Sequence, residues 1–71
     1  MKYDYSKLNA RILEEFNSKN AFAKALGISR ISLYKLLTNN TKFNQDKIVK
    51  WCDLLKIKEK DIKDYFFKIQ V

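Results

Sequence analysis

Apolar residues recur at intervals of three and four along almost the whole chain, and no proline and only one glycine interrupt them. This spacing collects apolar side chains on one face of a helix, whereas a half-buried strand needs alternation with a period of two. A chain of 71 residues has room for one compact domain. The pattern therefore predicts a single all-α domain over residues 1–71.

Capping residues and the lone glycine divide this pattern into five helices. Ser18, Ser29 and Asn44 are good N-cap residues, and Gly27 suits the position that ends a helix. The predicted helices cover about residues 6–16, 18–27, 29–38, 44 onward and 59–66. The side chains predicted to point inward are Leu8, Ile12, Leu13, Phe16, Phe22, Ala23, Leu26, Leu33, Leu36, Leu37, Ile48, Trp51, Cys52 and Leu55.

The composition argues against enzyme chemistry. With no histidine, one cysteine and one glycine, the chain lacks the residues for a histidine metal site, a Cys-His nucleophile pair or a glycine-rich phosphate loop. The carboxylate pairs Glu14–Glu15 and Asp61/Asp64 lie among lysines on helical segments, where solvated helix faces are expected. We therefore expect a binding protein without metal or cofactor.

The location of the chain is also suggested by its residues. A single thiol, Cys52, fits a reducing compartment better than a secreted one. The first residues contain no apolar run typical of a signal peptide, and no stretch approaches the ~20 apolar residues of a membrane span. We expect a cytoplasmic protein with no membrane contact.

The positive charge is concentrated in the middle of the chain. Of the formal net charge of +7, +6 lies between Phe16 and Cys52, where seven basic residues are opposed only by Asp46. A basic stripe attracts polyanions through Coulomb steering and counterion release. The clustering favours nucleic acid as a partner, although a lysine-rich composition can also serve solubility alone.

Residues 19–38 have the spacing of a helix-turn-helix motif. Ala23 supplies the small residue that two steeply crossing helices need, and Gly27 permits the positive φ of the turn. Ile28 and Leu33 then fill the space between the helices, and Leu36 anchors the second helix to the core. An ordinary helical hairpin would also use glycine and leucines, but it does not require all these residues at these offsets within the most basic segment.

Beyond the motif, the chain resembles the lambda-repressor-like helix-turn-helix family, in the branch of short phage and prophage switch proteins. The segments Tyr3-Asp4-Tyr5-Ser6-Lys7-Leu8-Asn9 and Tyr65-Phe66-Phe67-Lys68 are similar to Cro-like and modulator-of-repressor proteins of phages that infect Gram-positive bacteria. The resemblance implies five helices, a bacterial host cell and a role in a lysis-lysogeny switch. Lys19 stands where the family often has a glutamine that contacts a phosphate and braces the reading helix, and a lysine at this position keeps the phosphate contact.

The third helix is the predicted reading helix for operator DNA. With the leucines facing inward, 100° steps place Ile31, Lys35 and Thr38 on the opposite side, beside Tyr34 and near Arg30. Arg30 could donate two hydrogen bonds to guanine. The predicted base-reading residues are Ser29, Arg30, Ile31, Ser32, Tyr34 and Lys35.

Residues flanking this helix are predicted to hold the phosphate backbone. The second helix offers free N–H groups and the positive end of its dipole at its start. The loop after the reading helix is polar. The predicted phosphate-binding residues are Ser18, Lys19, Asn20, Thr38, Asn39, Asn40, Thr41, Lys42 and Lys47.

Two functions fit these features. The first is a sequence-specific regulator that binds double-stranded operator DNA, as a homodimer because paired half-sites multiply affinity. The alternative is a repressor modulator, or antirepressor, that binds a partner phage repressor and blocks its DNA contacts. Ile31 and Tyr34 on an outward face favour the alternative, and Arg30 with the basic stretch favours the first.

The C-terminal tail is too apolar for a free terminus. Phe67, Ile69 and Val71 alternate with polar residues, which predicts an extended segment with one apolar edge. The edge could fold back onto the protein's own helices or pair with another chain. The predicted protein interface consists of Ile31, Tyr34, Phe66, Phe67 and Ile69.

Overall fold

The computed structural model describes residues 2–38 and 41–69. Within these ranges the chain forms five α-helices and no strand, which confirms the predicted all-α fold class. None of the described helices has the length and apolar character to cross a bilayer. The elements are α1 (Ser6–Phe16), α2 (Lys19–Leu26), α3 (Arg30–Leu37), α4 (Gln45–Leu55), a 3₁₀ turn (Glu59–Asp61) and α5 (Ile62–Phe66).

Three helices begin where the sequence predicts an N-cap. The cap side chain accepts a hydrogen bond from the backbone N–H three residues later, which satisfies one of the free donors of the first helical turn. The pairs are Ser18 with Ala21, Ser29 with Ser32 and Asn44 with Lys47, at 3.1, 3.1 and 2.8 Å. Local chemistry thus fixes the starts of α2, α3 and α4.

Trp51 of α4 lies at the centre of the core and is almost fully buried. The rings of Phe22 and Phe43 each meet the indole edge-on, with centroids 4.8 Å away, and Phe66 approaches it at 6.3 Å. Edge-to-face pairs of this kind contribute about 0.5–1.5 kcal/mol each beyond the burial of their area. The aromatic cluster therefore joins α2 and α4 to α5 and to the segment that precedes α4.

The structure corrects two of the helix predictions. Leu13 was expected to face inward but is 48% exposed, because it lies about 100° round α1 from the buried Ile12. The last helix was expected as one element from Glu59, but its first residues form the 3₁₀ turn, and α5 begins at Ile62. Ile48 is only half-buried at the edge of the core.

The C-terminal segment leaves the helix after Phe66 and pairs with the N-terminal segment. The N–H of Asp4 donates to the carbonyl oxygen of Lys68 at 2.6 Å, and Tyr3 and Ile69 form a single antiparallel bridge. The rings of Tyr3 and Phe67 meet edge-on at 5.9 Å. The described part of the tail therefore pairs with the N-terminal segment of its own chain, while Phe67 and Ile69 keep exposed surface, and the last two residues lie outside the described residues.

Candidate interaction surface around the third helix

The turn before α3 has the backbone geometry that its sequence requires. Gly27 adopts a left-handed conformation with φ of 75°. The N–H of Ile28 reaches back to the carbonyl oxygen of Ala23 at 3.1 Å, which closes the end of α2. Ser29 then caps α3, so only three residues separate the two helices. This turn sets the direction in which α3 presents its outer face.

The outer face of α3 carries two large apolar side chains beside polar ones. Ile31 is 68% exposed and Tyr34 is 64% exposed, while Arg30, Ser32 and Lys35 are also exposed. The three leucines of α3 are all buried, as predicted. The predicted reading residues of α3 therefore all lie on its exposed surface, with Arg30, Ile31 and Tyr34 on one flank and Ser32 and Lys35 on the other.

Three hydroxyl groups among the predicted DNA-contacting residues already have hydrogen-bond partners within the protein. The Ser29 hydroxyl accepts from the N–H of Ser32 and donates to the Ser32 hydroxyl at 3.0 Å, so in this arrangement it is committed to the cap. The Thr38 hydroxyl donates to the carbonyl oxygen of Tyr34 at 2.8 Å. Ser18 is likewise held by its cap. These three hydroxyls contribute first to helix geometry.

A cleft of about 430 Å³ lies on the side of α3 that faces α4. Three lysines contribute to it, and we call it the lysine cleft. Lys50 lies partly over the turn, where its Nζ donates to the carbonyl oxygen of Leu26 at 3.3 Å. The lysine cleft is lined by Leu26, Ile28, Ser32, Lys35, Leu36, Thr41, Lys47, Lys50 and Trp51. The positive charges at this mouth suit an anion such as a backbone phosphate.

A second cleft, of about 350 Å³, lies on the other side of α3, where Asn9 of α1 and Lys19 of α2 approach it. We call it the apolar groove. The Asn9 amide nitrogen donates to the carbonyl oxygen of Tyr5 at 3.0 Å, and its amide oxygen is buried with no donor from the described residues. The groove is lined by Asn9, Lys19, Arg30, Ile31, Leu33, Tyr34, Leu37 and Thr38.

The remaining predicted phosphate contacts lie only in part at these two clefts, since Lys42 lines a different cleft beside Phe66 and Phe67. Asn20 is exposed at the start of α2, next to Lys19. Thr41 and Lys42 are exposed after α3, and Lys47 is half-buried. Asn39 and Asn40 lie outside the described residues. The structure thus distributes the basic positions over both sides of α3 instead of along a single line.

The tail contributes less to an exposed surface than the sequence suggests. Phe66 is 1% exposed and packs its ring against Phe43 at 5.2 Å, so it supports the core, and its contribution to a protein interface stays a prediction. Phe67 and Ile69 remain exposed. Phe67 and Ile69 are therefore the two tail residues of the predicted interface that expose surface to a partner.

Two polar residues that line these clefts do not appear among the sequence-predicted sites. Lys50 lies three residues after Lys47, a spacing that puts both on one helix face, so the sequence held a signal for it. Asn9 belongs to α1, and only the packing of α1 beside α3 brings it into the groove. No local pattern marks such a residue.

The one thiol of the chain belongs to the core. Cys52 is buried on α4, and burial raises the pKa of the thiol, with a smaller effect from Asp53. Since the thiolate is the nucleophilic form, this environment makes the sulfur a packing group. Cys52 therefore adds nothing to the candidate surface around α3.

Comparisons with known proteins identify what the whole chain is similar to. A family model described as "Protein of unknown function (DUF739)" matches residues 1–69. The solution structure of the modulator of repression (MOR) of the temperate bacteriophage TP901-1 from Lactococcus lactis is 33% identical, with a TM-score of 0.84. That match covers 99% of this chain and 97% of the other. No curated protein matches. The chain belongs to the family of unknown function DUF739, and its fold is that of a small phage modulator of repression.

Proposed function

We propose that the chain is a modulator of repression of a temperate phage, which binds a partner repressor and blocks the repressor's DNA contacts. The observation that carries this proposal is the 33% identity to a phage modulator of repression over 99% of the chain. The first expectation from the sequence was a Cro-like operator-binding protein. The comparison favours the alternative reading over it.

The face of α3 supports a protein partner. Ile31 and Tyr34 are three residues apart, so they lie side by side on one helix face, and both expose most of their surface. Apolar and aromatic side chains at the centre of a protein interface contribute much of its binding energy. A DNA groove offers them only thymine methyl groups. A repressor surface therefore explains their exposure better.

Operator DNA stays a second candidate because of the lysine cleft. Lys35, Lys47 and Lys50 converge there, and the sequence contains no acidic residue between Glu15 and Asp46. Lysines act mainly as point charges that hold phosphates, and phosphate contacts carry no direct sequence information. Any DNA binding by this face should accordingly be weak in base preference.

The two functions can be separated with the purified chain and the purified repressor of the same phage or prophage. Size-exclusion chromatography with light scattering gives the oligomeric state of each protein and of their mixture. Operator binding is then titrated by fluorescence anisotropy, for the repressor alone, for the chain alone and for the mixture. A modulator forms a stoichiometric complex and weakens operator binding by the repressor.

The control is a random duplex of the same length and salt concentration. The chain alone should bind operator and random duplex with similar affinity. Tight operator binding by the chain alone, with no complex formed with the repressor, would contradict the modulator function and restore the Cro-like one.

A further inference from the structure

We propose that the apolar groove holds one apolar side chain of the partner repressor, presented by an acidic segment of that protein. This inference rests on the proposed function and adds the chemistry of the contact. It concerns the side of α3 that faces α1, whereas the lysine cleft lies on the other side.

The shape and lining of the groove fit an apolar anchor. Its floor is formed by the buried Leu33 and Leu37, and its walls include the exposed side chains of Ile31 and Tyr34. The volume of about 350 Å³ lies near the lower end of the range of about 300–1,000 Å³ that binding pockets occupy. A single large side chain from a partner would cover both exposed walls and remove them from water.

The rim of the groove has one sign of charge. Lys19 and Arg30 line it, no carboxylate does, and neither forms an ion pair with the described residues. Lys19 also opens α2, whose first turn contains no acidic residue and whose dipole is positive at that end. Carboxylates that flank the anchor on the partner would complement this rim.

Asn9 distinguishes a protein partner from a nucleic acid. Its amide nitrogen is bonded to Tyr5, so the buried amide oxygen is the group that lacks a donor among the described residues. Buried acceptors of this kind are uncommon in folded proteins. A protein segment can supply the N–H or O–H donor that this oxygen lacks, whereas a backbone phosphate brings only further acceptors. The groove therefore suits a protein segment better than the DNA backbone.

The test is a titration of the full chain against the purified repressor by isothermal calorimetry, at two salt concentrations. The groove variants are Tyr34→Ala, the double change Lys19→Glu with Arg30→Glu, and Asn9→Leu. Matched controls on other surfaces are Val49→Ala, which trims another exposed apolar side chain, and Lys58→Glu with Lys60→Glu. Thermal unfolding by circular dichroism establishes that each variant is folded.

We expect the Tyr34 and charge-reversal variants to weaken repressor binding by about tenfold or more. Asn9→Leu should weaken it by about fivefold with little change in the melting temperature, since the free protein loses an unsatisfied acceptor together with the hydrogen bond to Tyr5, and these two effects oppose each other. The controls should stay within about twofold of the original chain. An Asp→Lys or Glu→Lys change on the repressor should restore binding to the charge-reversed chain.

Three other outcomes would contradict the inference. Failure of the unaltered chain to bind the repressor would overturn the proposed function, and the groove with it. If the groove variants and the controls reduce repressor binding equally, the groove inference fails but the proposed function stands. Binding would then depend on the positive charge of the whole chain and not on the groove. Groove variants that lose binding to duplex DNA but keep the repressor would make the groove a DNA surface and also overturn it.

Discussion

Arg11 of α1 reaches the C-terminus of α4, where its Nε donates to the carbonyl oxygen of Leu55 at 2.8 Å. Its Nη2 donates to the carbonyl oxygen of Lys56 at 3.0 Å. These are carbonyls that a helix end leaves without intrahelical partners. Glu14 and Glu15 each lie 3.5 Å from the guanidinium and hold it in place. One side chain thus connects two helices that are more than forty residues apart in the sequence.

The first prediction is that Arg11→Ala lowers the free energy of unfolding by about 1–2 kcal/mol, since hydrogen bonds from a charged, half-buried donor are lost. Arg11→Lys should lose about half as much, because an ammonium retains the charge but not the planar fork. Urea unfolding followed by circular dichroism measures both changes. Lys24→Ala on the exposed face of α2 is the control, and an equal loss there would contradict the role of Arg11.

The second prediction concerns the turn between α2 and α3. Gly27→Ala should destabilise the protein by about 1 kcal/mol, because a Cβ is strained at positive φ. Apart from Gly27 and its two chain neighbours, no atom lies within 4 Å of the added Cβ position, so the cost comes from the local backbone conformation. Gly27→Asn should therefore cost less, since asparagine tolerates this conformation. Equal costs for alanine and asparagine in urea unfolding would indicate a steric cause instead.

Capping chemistry explains why much of the fold could be predicted from the sequence. Ser18, Gly27 and Ser29 act on backbone groups within three or four residues of themselves, so their neighbours in the sequence are sufficient to assign them. The long runs of α1 and α4 likewise give periodicity enough to find most of their buried residues. These local rules placed α3 and its outer face correctly.

The residues that the sequence misplaced depend on contacts between distant segments. Asn9 enters the apolar groove only because α1 packs beside α3. Leu13 is left outside because none of the described core covers that side of α1. In the short helix α5, five residues are too few for periodicity to separate Phe66, which is buried, from Phe67, which is exposed.

The third prediction is an acid-dependent loss of stability at the start of α1. A carboxylate oxygen of Asp4 accepts from the hydroxyl and the N–H of Ser6, at 2.6 and 2.9 Å. These hydrogen bonds hold the pKa of Asp4 below its ordinary value of 3.8. Since the folded pKa is depressed, the stabilisation is present above the ordinary value and is lost as the pH falls through the folded one.

Urea unfolding between pH 7 and pH 2.5 should therefore show a stability difference between the original chain and Asp4→Asn that is constant above about pH 5 and shrinks below about pH 4. Asp53→Asn, which changes an exposed carboxylate on α4, serves as the comparison. A difference for Asp4→Asn that stays constant down to the lowest pH would show that the charged form of Asp4 is not the stabilising one.

The last prediction separates the two aromatic residues at the end of α5. Phe66→Ala should cost about 3–5 kcal/mol, because it removes a buried ring from the cluster around Trp51 and leaves a cavity. Phe67→Ala should cost about 1 kcal/mol or less, because that ring is 45% exposed and contacts mainly Tyr3. Thermal unfolding of the two variants measures the difference, with a loss of about 4–8 °C expected for each kcal/mol in a domain of this size.

The same variants test the remaining interface role of the tail, since Phe67→Ala should keep the fold and can be compared with the original chain for self-association by light scattering. If Phe67→Ala destabilises the protein as strongly as Phe66→Ala, the tail belongs to the core and has no exposed edge left to offer a partner.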